Sequence, residues 1–121
     1  MINVQKSLRS FKFATNGIIQ FFKLENNARV HLLAALIVLA LGWYFQFQTS
    51  EWLWITVAVA LVWITEALNT AIEQLVDLVS PDFNERAGKV KDLAAAAVLF
   101  AAITSVIIAL FIFGPHFLRL F

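Results

Sequence analysis

The 121-residue chain contains no cysteine. That absence excludes disulfides, thiolate metal sites and cysteine nucleophiles together. Charge is scarce as well: Asp, Glu, Lys and Arg make up 14% of the residues, against about 25% in an average soluble domain. Too little charge is present to cover a water-facing surface, and with 61% hydrophobic residues the composition is that of a membrane protein. The formal net charge of +1 excludes the broad basic field that nucleic acid requires, so no nucleic-acid partner is expected. The first 24 residues hold no plain apolar core followed by small residues, so no cleavable signal is expected and the chain is read whole. Repeats, low-complexity tracts and dividing linkers are also missing. The length suits one domain, residues 1–121, of three spans.

What is present is helical periodicity, and the fold class read from it is an all-α membrane protein. Val4, Leu8, Phe11, Thr15, Ile18 and Phe22 recur at steps of four and three, while Lys6, Arg9, Lys12, Asn16 and Lys23 sit largely elsewhere. Residues 4–24 therefore read as an amphipathic helix lying in the headgroup plane. Gly17 there suits a close approach to another helix. A polar hinge over 24–29 precedes spans at 30–47, 52–79 and 92–113. Trp43, Tyr44 and Phe45, then Trp52 and Trp54, read as interfacial aromatics around a short turn. Ser80-Pro81 stops the second span, a charged loop covers 81–91, and Gly114-Pro115 is expected to end the third span. The small run LAAAAVLFAA at 93–102 favours close helix packing. Lysines and arginines lie before the first span and between the second and third, which puts the N-terminus and the 81–91 loop in the cytoplasm.

The second span carries Glu66, Asn69, Glu73 and Asp77. At about 100° per residue these four fall within roughly 80° of one another, as one polar stripe. A charge at mid-bilayer costs on the order of 3 kcal/mol on insertion scales, so the stripe is a functional site by default. Glu66 and Glu73 are two turns apart, about 10 Å along the axis at 1.5 Å per residue, too far to share one metal ion. Glu73 falls near the cytoplasmic interface, where Mg²⁺ takes one or two carboxylates plus substrate phosphates; Glu25 is the second candidate ligand at that level. Glu66 is deeper, at the level of a lipid entering sideways, and is the candidate general base. Asn69 has the donors and acceptor to fix a carboxylate or a phosphate. Lys91, with Asp92 beside it, is placed to neutralise a transferring phosphoryl group, as is Arg9 or Lys6.

Plainer readings exist for several of these. Charges over 77–92 also suit a solvated loop, and His31 reads as a hydrogen-bonded helix-start residue with no second histidine near enough for a metal pair. Gly88-Lys89 lacks the upstream glycine and the Ser/Thr of a phosphate loop, so any ATP site is of another kind. A channel would continue the polar path outward, yet between Trp52 and Ile64 only Thr56 is polar. A structural adaptor gives no reason for Lys91-Asp92 to accompany the stripe.

The run Glu66-Ala67-Leu68-Asn69-Thr70-Ala71-Ile72-Glu73, then Asp77, then Ala87-Gly88-Lys89-Val90-Lys91-Asp92 and an alanine-rich stretch, resembles the prokaryotic integral-membrane diacylglycerol kinase family, which includes undecaprenol kinases. Ser10-Phe11-Lys12-Phe13-Ala14 with Gly17, and Glu25-Asn26-Asn27-Ala28-Arg29-Val30-His31, extend the likeness over nearly the whole chain. The resemblance implies a homotrimer of three-span subunits in a bacterial inner (cytoplasmic) membrane, with sites between subunits. It implies Glu66 as the base on a lipid alcohol, Glu25 and Glu73 as ligands of Mg²⁺, and ATP as co-substrate. Lys6, Arg9, Phe13, Glu25, Asn69, Glu73, Asp82, Phe83, Asn84, Lys91 and Asp92 would line the nucleotide, and Asn27 and His31 would join Glu66 at the lipid. An acidic residue and a glycine stand at positions 31 and 32 in the diacylglycerol-specific members. His31-Leu32 here resembles the undecaprenol-kinase branch, so undecaprenol is expected before diacylglycerol.

Overall fold

The computed structural model describes residues 1–121 as four helices: α1 (Val4–Leu24), α2 (Asn26–Tyr44), α3 (Thr49–Val79) and α4 (Glu85–Leu118). The last three are long and apolar enough to cross a membrane. No residue of α1 is buried; only Phe21 and Phe22 at its end are half-covered.

Local chemistry sets each boundary, and several differ from the sequence expectation. The Asn3 side chain accepts from Lys6 N at 3.1 Å and starts α1. The hinge expected over 24–29 shrinks to Glu25 alone, in extended backbone (φ −98°, ψ 115°), so α2 begins at Asn26 rather than 30. Arg29 then closes the end of α1: its Nε donates to Phe22 O at 3.0 Å and its Nη2 to Lys23 O at 2.6 Å, carbonyls that a helix end leaves free. The helix α2 stops at Tyr44, short of 47, because Gln46 takes a positive φ of 55°. The next helix starts at Thr49 rather than 52, since Glu51 Oε1 accepts the Gln48 N–H at 3.1 Å and satisfies a first-turn donor. Ser80-Pro81 does end α3.

The largest shift is in α4. Its start moves to Glu85, seven residues before the expected 92, because Asn84 Oδ1 accepts from Arg86 N and Ala87 N at 2.8 and 3.3 Å. The expected charged loop over 81–91 is thus mostly helix. Gly114-Pro115 does not end α4, which runs on to Leu118. Proline disfavours helix at the residue before it by clashing with that residue's side chain; here that residue is glycine.

The two longest helices form the principal pair, with α2 against α3 and α1 against the start of α2. Contacts along α3 and α4 run antiparallel: Glu51 meets His116, Ser105 Oγ donates to Ala58 O at 2.9 Å, and Lys91 meets Asp77. Ala94 and Ala101, in the small run of α4, are buried, as close packing requires. At the end away from Lys91, Phe47, Ile55 and Ile112 form a buried cluster with Phe45, Trp52 and Phe113 around it. Phe45 and Trp52 therefore pack inward, whereas Trp43, Tyr44 and Trp54 remain exposed. Gly42 lies under this cluster, where an added Cβ would meet the Trp52 ring at 2.5 Å. The close approach expected at Gly17 is absent: a Cβ there meets nothing within 4 Å.

Candidate active site

The polar stripe of α3 is real and graded. Glu66 is buried at 4% exposure, the only charged side chain so placed. Asn69 and Glu73 are half-buried, and Asp77 is exposed. One helix face thus leads from a dry carboxylate to open solvent over eleven residues, about 16 Å at 1.5 Å per residue.

Each member has a different partner. Glu66 Oε1 lies 3.3 Å from His31 Nε2 of α2. His31 is hydrogen-bonded, as read from the sequence, but it sits in the second turn of α2 rather than at its start, and its bond bridges to α3. Asn69 Nδ2 donates to Glu73 Oε1 at 3.3 Å, which leaves Asn69 Oδ1 buried with no protein partner. Asp77 Oδ1 accepts from Lys91 Nζ at 2.5 Å, tying the stripe to α4.

Beside the stripe lies an apolar groove of about 710 Å³ between α1 and α3, lined by Gly17, Ile18, Phe21, Trp63, Ala67 and Thr70 among others. Phe22 packs edge-on against Trp63, ring centroids 5.6 Å apart, and closes one end. Trp63 Nε1 and Thr70 Oγ1 are buried with no partner. Unpaired buried polar atoms are costly and call for an explanation such as a missing ligand or water. Neither Trp63 nor Thr70 was singled out from the sequence, and the period-3.6 position of both beside Glu66 is the signal that could have found them.

The remaining sequence candidates scatter more widely. Glu25 is half-buried at the α1–α2 junction, and its carboxylate makes no cap bond. Asn27 is exposed in the first turn of α2. Lys6, Arg9 and Phe13 are exposed on α1, and neither cation pairs with a carboxylate of the stripe. Asp82 and Phe83 are exposed in the loop before α4, and Asp92 is exposed beside Lys91. Asn84 spends its carbonyl oxygen on the α4 cap. No three acidic or histidine side chains converge on one point within the chain.

The profile of prokaryotic diacylglycerol kinase matches residues 12–113. The chain is 37% identical over 112 residues to the undecaprenol kinase of Bacillus subtilis strain 168, covering 93% of this chain and 91% of that protein. It is 35% identical over 114 residues to a diacylglycerol kinase of Synechocystis sp., covering 93% of this chain and 65% of that protein. A diacylglycerol kinase of Escherichia coli K12 is 43% identical over 60 residues, half of this chain and 49% of its own.

Proposed function

This chain belongs to the prokaryotic diacylglycerol kinase family and is a membrane lipid kinase that uses ATP; on that premise we propose that it phosphorylates undecaprenol, with Glu66 as the base. The observation that carries the reading is one buried carboxylate, Glu66, at the head of a polar stripe and beside an apolar groove. An alcohol with a long apolar tail fits that arrangement. The tail lies along Ile18, Phe21 and Ala67, and the hydroxyl reaches Glu66. Thr70 and Trp63 offer hydrogen bonds to the polar end as it passes.

In the transfer, the lipid O–H proton goes to Glu66 as the lipid oxygen forms its bond to the γ-phosphorus. The bond from that phosphorus to the β-phosphate oxygen breaks, and ADP leaves. Little covalent work falls to the protein in such a reaction, so positioning and charge dominate. Lys91 is held by Asp77 near the water end of the stripe, where it meets the phosphates; Asp92 and the 82–84 segment lie on the same side.

Glu73 and Glu25 hold Mg²⁺ in this reading. The donors fit a hard cation: Glu73 keeps one oxygen free of Asn69, Asn69 Oδ1 is orphaned, and Glu25 is unpartnered. Two carboxylates with phosphates and waters are a usual magnesium set. When bound, the ion offsets phosphate charge.

The site is completed between subunits of a homotrimer, each subunit a single domain over 1–121. Support comes from Lys6, Arg9 and Phe13, which are exposed on α1, neither cation pairing with a carboxylate of its own chain, and which would meet a neighbour's stripe. The helix α1 lies on the membrane surface, the N-terminus is cytoplasmic, and the membrane is a bacterial inner membrane. The distribution of lysine and arginine supports that orientation. Asn27 and His31 sit at the lipid side.

Diacylglycerol is the second reading, favoured by the diacylglycerol kinase of Synechocystis at nearly the same identity. The test is the full chain in nanodiscs with Mg²⁺ and [γ-³²P]ATP, offered undecaprenol and dioleoylglycerol in parallel. Label on undecaprenol is expected. Label on dioleoylglycerol alone reassigns the substrate, and label on neither overturns the reading.

A further inference from the structure

Glu66 is buried, and its side chain has one hydrogen-bond partner, His31 Nε2, 3.3 Å from Oε1. A buried carboxylate oxygen needs a hydrogen-bond donor in place of the water it has lost. The neighbouring polar groups of α3 do not supply one. Thr65 Oγ1 donates to the carbonyls of Leu61 and Val62, and Asn69 Nδ2 donates to Glu73. The donor has to come from α2.

We propose that His31 is the positioning residue of the phosphoryl transfer. Its Nε2–H holds Oε1 of Glu66, fixes the orientation of that carboxylate, and leaves Oε2 for the lipid hydroxyl. The proposal rests on Glu66 being the base, and it adds what makes a base possible at that depth. Both the neutral Nε2–H tautomer and the imidazolium donate to Oε1. The His31 side chain is 31% exposed, while its Nε2 stays engaged with Glu66. The other charged groups on these elements are committed elsewhere: Arg29 of α2 to the carbonyls ending α1, Glu51 of α3 to His116 of α4, Glu73 of α3 to Asn69, and Asp77 of α3 to Lys91 of α4. Glu66 is the one carboxylate within ion-pair distance of His31.

The test compares wild type, His31→Leu and His31→Gln, as full chains in nanodiscs with undecaprenol and Mg-ATP. Leucine keeps the bulk and removes the donor; glutamine restores an N–H. We expect His31→Leu to lose about 10²-fold in kcat at an ATP KM changed by no more than about twofold, as loss of an interaction made only in the reacting complex implies. His31→Gln recovers most of the turnover. Equal loss in the leucine and glutamine variants, or a loss that appears in the ATP KM rather than in kcat, overturns the proposal, since packing alone predicts the first and a nucleotide contact the second. Should the leucine variant fail to assemble, His31→Gln decides alone: retained turnover supports a donor role and its loss overturns it. Failure of the underlying reading looks different, because Glu66→Gln would then turn over normally.

Discussion

His116 Nε2 lies 2.6 Å from Glu51 Oε2, and this bond fastens the last turn of α4 to the first turn of α3. The same glutamate uses its other oxygen to cap α3 through the Gln48 N–H, so one side chain serves two ends. Both partners are sheltered, at 12% and 21% exposure, and His116 stacks on Phe45 with centroids 5.2 Å apart. Hydrogen bonds to charged groups contribute about 1.5–3 kcal/mol. His116→Ala should therefore lower thermal stability in detergent, and Glu51→Ala should lower it further because the cap is lost too. The double variant should cost less than the two single losses added, since the shared bond is counted once. Strict additivity in thermal unfolding would remove the coupling.

Gly42 offers a sharper packing test. A Cβ there would stand 2.5 Å from the Trp52 ring and 2.9 Å from Phe47. Both rings belong to the aromatic packing that locks the α2–α3 turn. Overpacking of this kind costs about 1–3 kcal/mol, so Gly42→Ala should unfold earlier on heating. Gly17→Ala is the control: open space surrounds that position, and the gain in helix propensity is about 1 kcal/mol.

What the sequence could show was set by period and composition. The three apolar runs and the 3.6-residue spacing of Glu66, Asn69, Glu73 and Asp77 were legible because each is local to one helix. Helix ends were less so. Asn84 reads as loop in isolation, yet its side chain caps α4 and extends it seven residues beyond the expected start. Proline at 115 reads as a stop, yet the glycine before it lets the last turn form. The partners of the stripe were illegible for another reason: His31 and Glu66 stand 35 positions apart on different helices. No periodicity within one element can report such a pair.

Lys91 and Asp77 illustrate how little an ion pair says about stability. Both side chains are open to solvent, at 40% and 63% exposure, where such pairs contribute about 0–1 kcal/mol. Lys91→Ala should therefore leave the melting temperature nearly unchanged. Turnover should fall steeply, by about 10²-fold or more if the ammonium meets developing phosphoryl charge. A large loss of stability with proportionate loss of activity would make the lysine structural instead.

Glu73 is held by Asn69 on one oxygen and free on the other. In Glu73→Gln the Asn69 contact can survive while a charged metal ligand is lost. Activity should fall and should recover only in part as Mg²⁺ is raised, the signature of a weakened cation site. The measurement is initial rate against free Mg²⁺ at fixed ATP. An unchanged half-saturation would take Glu73 out of the ligand set.

Glu66→Gln keeps size and hydrogen-bonding capacity but cannot accept a proton. His31 can still be satisfied, because its ring nitrogen meets an amide in place of a carboxylate, so folding should hold. An amide also costs less to bury than a charged carboxylate. The expected pattern is thus an intact assembly, undiminished ATP binding, a melting temperature equal to or above wild type, and loss of phosphoryl transfer. That combination separates a base from a structural carboxylate, whose removal would lower stability first and activity in step with it. Label transfer to the lipid, scored beside thermal unfolding of the same preparation, distinguishes the two; turnover near wild type would take the base role from Glu66.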